Sequence, residues 1–329
     1  MQWLDFAELD AAADELDERV ASSSELDHFC SSSAWVLPAR AAFAPTAGPL
    51  VARGDAGIAA LMILPLAGGA RAGLPLEASW MLASPFASAR PDELCAELVA
   101  ALRAPPRRVD VLLLSGIAPR SQAFAALTRA ATRRPLQPYA PATTRIVASL
   151  AGGIDGFLAR RSAKWRASLR RARRVATAAG LVFERHTAFE DVQLAAALDR
   201  IFALEARSWK AADGAGMNDG PMETFYRGML PRLARRGGLR VVFVTRDGRD
   251  VAFCFGGLFT AGGRTIYRGL QSSYDETVAS LSPGALAHLA MIELLAAEDV
   301  AAYDLGTDMD YKRRWGEPGL TTVALALVI

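Results

Sequence analysis

The 329 residues carry 37 Lys and Arg against 35 Asp and Glu, and 52% are hydrophobic. This composition excludes an intrinsically disordered chain and a uniformly basic nucleic-acid binder, and the length fits two compact units of roughly 150 residues. Charge is segregated instead: residues 1–27 hold nine acids against Arg19 alone, whereas residues 160–174 hold eight Lys or Arg and no acid.

The acidic start, "MQWLDFAELDAAADELDERV", is unlike a signal peptide, and a helix over 6–20 is expected from Phe6, Leu9, Ala12, Ala13 and Leu16 on one face. "GPLVARGDAGIAALMILPLAGG" reads as a hairpin around a Gly-Asp turn. Its apolar run is broken by Pro65 and Arg71, so no membrane span is expected. A helix over 91–103 follows, with Pro and acids in its first turn, then the strand "VDVLLLSGI", a helix in "RSQAFAALTRAATRR" and the strand "TTRIVASL". Between the last two, "RPLQPYAPAT" packs three prolines and marks a boundary or crossover.

The pattern then restarts. Helices are expected over 154–179, 190–209 and 221–236, with the strand "LVFERH" after the first and a Gly-rich loop over 213–220. Three strands follow, in "LRVVFVTRDG", "DVAFCFGGLFT" and "RTIYRGLQSS". A crossover helix over 284–298 leads to the strand "VAAYDLG", which should be buried and parallel. A short helix at Tyr311 and a terminal strand, "TTVALALVI", complete the chain. Both halves run paired strands, helix, strand, helix, which points to a duplicated α/β architecture without sequence identity. Cys30, Cys95 and Cys254 are far apart and odd in number, which argues against a disulfide framework or a zinc site and for a reducing cytoplasm.

Two segments invite anions. Arg166, Arg170 and Arg174 recur on one face of the basic helix, suited to phosphates or equally to solvent. In "SLSPGALAHLA", Ser282, Pro283 and Gly284 stand where a helix begins, where free backbone N–H groups bind phosphate and where an ordinary cap also fits.

These segments, together with "LEARSWK" and the late block "YDLGTDMDYKRRWG", resemble the CelD-like branch of the GNAT acyltransferases, a branch related to the Fem aminoacyl transferases. The resemblance covers about 154–318 and implies a tandem, pseudo-duplicated GNAT fold with mixed central sheets flanked by helices. Residues 1–145 would form a degenerate first domain and 146–329 the catalytic one. It further implies an opening between two parallel strands that admits an acyl thioester, with acyl-CoA as co-substrate, no metal, and Ser280, Ser282, Gly284, Ala285 and His288 at the donor. The usual Arg/Gln-x-x-Gly-x-Gly/Ala loop is absent here, so a carrier protein or an aminoacyl-tRNA, held by the basic helix 160–174, stays open as donor. So does a non-catalytic binding module.

Acyl transfer to an amine needs a proton acceptor for the amine and a proton donor for the leaving thiolate. The resemblance puts Tyr311 in the donor role. Glu205, Asp304 and His288 are the candidates for base, with Asp304 better suited to fixing the loop by accepting backbone N–H bonds. Trp209, Tyr226, Tyr267, Arg268, Asp308, Lys312 and Trp315 are the candidates for lining the acceptor pocket of a small-molecule or peptide amine.

Overall fold

The computed structural model describes residues 1–77, 80–132, 134–208, 210 and 216–329. Two units emerge: residues 1–144 with 320–329, and residues 145–319.

In the first unit, β1 (Gln2–Leu4) leads into α1 (Phe6–Ala11), α2 (Ala13–Ser22) and α3 (Ser33–Phe43). The single helix expected over 6–20 is two, because Ala12 leaves helical geometry at φ −94°, ψ 21°. Asp5 and Glu8 close a capping box at the start of α1. The expected hairpin forms from β2 (Gly48–Gly54) and β3 (Gly57–Pro65), with β4 (Arg71–Pro75) and the short β5 (Phe86–Ala87) also antiparallel to β3. The crossover helix α4 (Pro91–Arg103) begins on proline with Asp92 and Glu93 in its first turn and buries Leu94, Cys95, Leu98, Val99 and Leu102. It delivers β6 (Val111–Ile117) parallel to β4, and α5 (Gln122–Ala130), capped by Ser121, precedes β7 (Gln137–Ser149).

The second unit opens with α6 (Gly153–Ala159) and α7 (Ala163–Ala178). The helix expected over 154–179 is broken here, since Ser162 is extended and its hydroxyl accepts the Trp165 N–H as a new N-cap. Then come β8 (Leu181–His186), α8 (Asp191–Glu205), α9 (Pro221–Arg235), β9 (Leu239–Arg246), β10 (Arg249–Ala261), β11 (Arg264–Tyr274), α10 (Pro283–Ala297), β12 (Ala302–Thr307) and β13 (Glu317–Val328). Strands β8 to β11 are antiparallel neighbours, and β12 joins β11 in parallel after its crossover helix, as expected. Each unit is therefore a mixed sheet with helices, and strand, strand, crossover helix, parallel strand occurs in both.

The partition departs from the expected break at 145/146 in one respect. The last ten residues, 320–329, belong to the first unit, where β13 pairs antiparallel with β6 from Val323↔Ile117 to Val328↔Val111. In the second unit, β12 pairs instead with the end of β7, at Ala302↔Ser149 through Asp304↔Val147. The proline-rich stretch read as a boundary is the exposed first half of β7, and the chain passes between units at Thr144 and Arg145, within that strand.

In the first unit, β4 and β6 pair at Ala72↔Val111 and Gly73↔Leu112. Farther along, the backbone of Ala83 and Ser84 lies against β6. Gly116, at φ +66°, has no room for a Cβ, which would stand 2.3 Å from the Ala83 carbonyl carbon. The Glu77 carboxyl holds this segment by accepting N–H groups from Ala83 at 2.6 Å and from Leu82, and the Trp35 indole N–H at 3.1 Å. The Ala83–Ser84 backbone thus packs closely against the end of β6.

Burial pushes the Glu77 carboxyl up from 4.5 to about 8, against the opposing pull of its Ala83, Leu82 and Trp35 donors. An acid with a raised folded pKa binds protons more tightly when folded, so its contribution to stability falls as pH climbs from about 4.5 to about 8 and is level above that. Urea unfolding of wild type and Glu77→Gln at about pH 5 and about pH 8 tests this. The stability difference should move in the variant's favour at the higher pH, and a pH-independent difference would contradict it.

Candidate functional site

Strands β11 and β12 pair over three rungs, Ile266↔Ala302, Tyr267↔Tyr303 and Arg268↔Asp304, and β11 runs on to Tyr274 without that partner. The parting is built into β11. Its register with β10 moves from Gly256↔Gly269 to Phe255↔Gln271, leaving Leu270 as a bulge two residues past the last shared rung. Two glycines make this possible. A Cβ on Gly256 would stand 2.0 Å from the Arg268 carbonyl oxygen, and one on Gly269 would stand 2.5 Å from the Tyr303 ring.

The last rung is an ion pair. Arg268 Nη2 donates to Asp304 Oδ2 at 2.8 Å, with the two residues 3% and 4% exposed. Arg145 Nε lies 3.6 Å from the same oxygen, and Asp304 Oδ1 accepts the Gly306 N–H at 2.8 Å.

Beyond the rung, His288 of α10 ties the parted strands together. Its Nδ1 lies 2.8 Å from the Tyr303 hydroxyl on β12, and its Nε2 lies 3.2 Å from Ser272 Oγ on β11. Burial pulls the imidazole down from 6.5 to about 4, helped by the charges of Lys312 and Lys210, so the ring is neutral near pH 7. Such an imidazole is a hydrogen-bonding strut rather than a base for an ammonium.

On the β11 side, Lys210 Nζ donates to Gln271 Oε1 at 2.8 Å and to the Ser272 carbonyl at 2.7 Å, while the Gln271 amide donates to the Tyr226 hydroxyl at 2.9 Å. On the β12 side, the chain turns back through Gly306, at φ +79°, and Lys312 Nζ donates to the Thr307 carbonyl at 3.0 Å. Burial, then the Arg268 charge and more weakly Lys210, pull Lys312 from 10.5 to about 8, although Asp304 and Asp308 oppose the shift. Tyr311 is 49% exposed, and burial of the rest of its ring raises its hydroxyl above the ordinary value.

Helix α10 starts with Ser282 in the left-handed region, at φ 56°, and Pro283 at its first position. Ser280 is exposed, and Ser282, Gly284 and Ala285 are part-exposed. Proline removes one of the free donors of this first turn, leaving the Gly284 and Ala285 N–H groups beyond it.

Several site expectations need correction. Tyr267 is fully buried against Tyr303, ring centroids 4.9 Å apart, and cannot line a pocket. Trp315 is a core residue, wedged between Trp165 at 4.8 Å and His288 at 5.6 Å. Arg268 and Asp304 neutralise one another in the interior, so neither an acceptor contact by Arg268 nor base catalysis by Asp304 fits. Glu205 is wholly buried, its oxygens taken by the Ser273 hydroxyl and by the Met217 N–H at 3.1 Å, which leaves it no substrate proton to reach. His288 is engaged by Tyr303 and Ser272 through both ring nitrogens. Asp308 is paired with Arg313 at 2.8 and 2.9 Å. Trp209 lies outside the described residues. Sequence reasoning missed Lys210, Ser272, Gln271 and Tyr303. Lys210 ends the quoted "LEARSWK", where its neighbour Trp209 drew the attention.

Residues 163–313 match the family model described as acetyltransferase (GNAT) domain, and this stretch is a GNAT domain. No curated protein matches the sequence. Among solved structures, FemX is similar over 96% of both chains, with 13% identity and a TM-score of 0.65. A conserved protein of unknown function from Bacteroides thetaiotaomicron is similar over 97% of both chains, at 14% identity and TM-score 0.61. A chain described as the C-terminal domain of a lysylphosphatidylglycerol synthetase from Agrobacterium fabrum is similar over 98% of this chain and 92% of its own, at 14% identity and TM-score 0.54. These likenesses establish a shared fold, related to that of the Fem-type proteins. Among the described residues no helix is long and apolar enough to cross a membrane.

Two outcomes follow from the geometry. In an NMR titration the His288 ring should stay neutral down to about pH 5; protonation near pH 6.5 would show that the strut is open to solvent. Gly256→Ala should cost about 1–3 kcal/mol in urea unfolding, because the added methyl meets the β11 backbone and not a movable side chain. A neutral effect would mean that the bulge does not depend on that close approach.

Proposed function

We propose that this chain is an N-acyltransferase which moves an acyl group from a thioester, acyl-CoA, to a primary amine of a small molecule or peptide. The observation that carries the reading is the parting of β11 and β12 after the buried rung of Arg268 and Asp304, within a GNAT domain, beside a crossover helix that begins Ser282-Pro283-Gly284-Ala285. In this reading the thioester enters between the parted strands and the amine attacks from the side where Tyr311 and Lys312 lie. Backbone N–H groups of the parted strands would stabilise the oxyanion. Tyr311, kept protonated by its raised pKa, would give its proton to the departing thiolate. The main-chain donors of Gly284 and Ala285 would meet the donor's phosphates. Catalysis is assigned to the second unit, which holds the parted strands and the matched residues 163–313. Cys30, Cys95 and Cys254 are buried thiols, which accords with a reducing cytoplasm.

A second reading, transfer from an aminoacyl-tRNA or from an acyl carrier protein, is favoured by the exposed face of α7. Lys164, Arg170, Arg171 and Arg174 are exposed there, whereas Arg173 is bound to Glu293 at 2.6 Å and Arg166 to the Arg161 carbonyl at 2.8 Å. A partner carrying many phosphates or carboxylates suits such a face. Supplying acetyl-CoA and an aminoacyl-tRNA in parallel, and following CoA release against loss of the tRNA-linked label, separates the two donors.

Native mass spectrometry of the purified protein should find retained CoA or acyl-CoA. Tyr311→Phe should lower kcat by about 100-fold with CoA affinity unchanged, since a proton donor acts in the transition state. An unchanged kcat removes Tyr311 from the role. Gly284→Val should weaken CoA binding in calorimetry, because its Cβ position is already 3.0 Å from the Tyr274 ring; equal affinity counts against a phosphate site there.

A further inference from the structure

The two lips of the opening each present a lysine. Lys210 is held on the β11 side and Lys312 on the β12 side, and each ammonium is bonded to neutral oxygens: Gln271 Oε1 and the Ser272 carbonyl for one, the Thr307 carbonyl for the other. An ammonium has three donors, so one remains on Lys210 and two on Lys312. The neighbouring carboxylates are committed elsewhere: Asp304 to Arg268 and the Gly306 N–H, Asp308 to Arg313, and Glu205 to Ser273 and the Met217 N–H. Among the described residues no carboxylate makes an ion pair with either lysine. The imidazole between them, His288, is tied to Tyr303 and Ser272 and brings no negative charge.

Two like charges gathered in a half-buried site repel one another and lose hydration. Burial pulls both lysines below the ordinary value, with the Arg268 charge and more weakly Lys210 adding to it at Lys312, against the attraction of Glu205 at Lys210 and of Asp304 and Asp308 at Lys312. An oxyanion would satisfy the spare donors and remove the repulsion at once. We infer that Lys210 and Lys312 bind an oxyanion carried by the acceptor, which makes the substrate an amine that also bears a carboxylate or a phosphate. This rests on the reading that the opening receives the acceptor amine. The anion would bridge the lips while the amine reaches past Tyr311 toward the thioester.

The test does not require turnover. The wild-type protein is labelled with an amine-acetylating reagent, and modification of Lys210 and Lys312 is followed by mass spectrometry with sodium acetate, inorganic phosphate, or acetamide as probe. Ionic strength is held constant with sodium chloride, because screening alone alters exposed lysines. Acetate or phosphate should slow labelling of both lysines together, acetamide should not, and the better protector identifies a carboxylate or a phosphate acceptor. Lys210→Met should weaken that protection at Lys312 by about tenfold or more, the size of one charge-assisted hydrogen bond. Lys312→Met read at Lys210 gives the same comparison should the first variant fail to fold.

Protection by neither anion, or equal protection by acetamide, overturns the proposal. CoA affinity is measured in the same samples: if bound CoA abolishes phosphate protection, the lysines serve the donor and the acceptor assignment fails. If CoA does not bind while protection persists, the oxyanion site stands and the acyl-CoA reading is what fails.

Discussion

The buried pair of Arg268 and Asp304 fixes where the second unit's sheet stops being continuous. It sits on the last shared rung of β11 and β12, at 2.8 Å and almost without solvent contact. Removing one partner of such a pair leaves a bare charge in the interior, at a cost of about 3–5 kcal/mol. The rung therefore cannot slip, and the bulge at Leu270 begins the divergence at a defined level. His288 then spans the gap from the crossover helix, with a neutral ring bonded to each strand. The opening is held apart by polar contacts of fixed length, while Phe157, Trp165 and Trp315 pack beside it as its apolar support.

Much of this was legible in the sequence. The run of three strands, an apolar helix starting on Pro283 and the strand "VAAYDLG" specifies a parallel strand, since a helix between two strands returns the chain to the same end of the sheet. Tyr311, read from the late block, stands half-exposed in the turn after β12. The exchange of β13 into the first unit was not legible, because "TTVALALVI" alternates like any half-buried strand and carries no mark of its partner. Neither was the split of α1 from α2 or of α6 from α7, where a change at Ala12 or Ser162 interrupts an otherwise regular apolar stripe.

The misread site residues share one cause. Tyr267, Trp315, Arg268 and Asp304 all lie within or beside the motif, and motif proximity carries no information on which face of the sheet a side chain takes. Lys210 posed the opposite problem. It lies 78 residues before His288 in the chain, in a stretch whose neighbours gave no periodic signal, and its relation to Lys312 exists in three dimensions alone.

The placement of residues 320–329 bears on how the protein is made. During synthesis the first unit's strands β1 to β6 leave the ribosome early, but the free edge of β6 has its β13 partner only after some two hundred further residues have been translated. Until then the main-chain donors and acceptors of an apolar strand, "VLLLSGI", stand open to any passing extended segment. A protein cut at residue 145 would carry that bare edge permanently, and aggregation would be its expected fate.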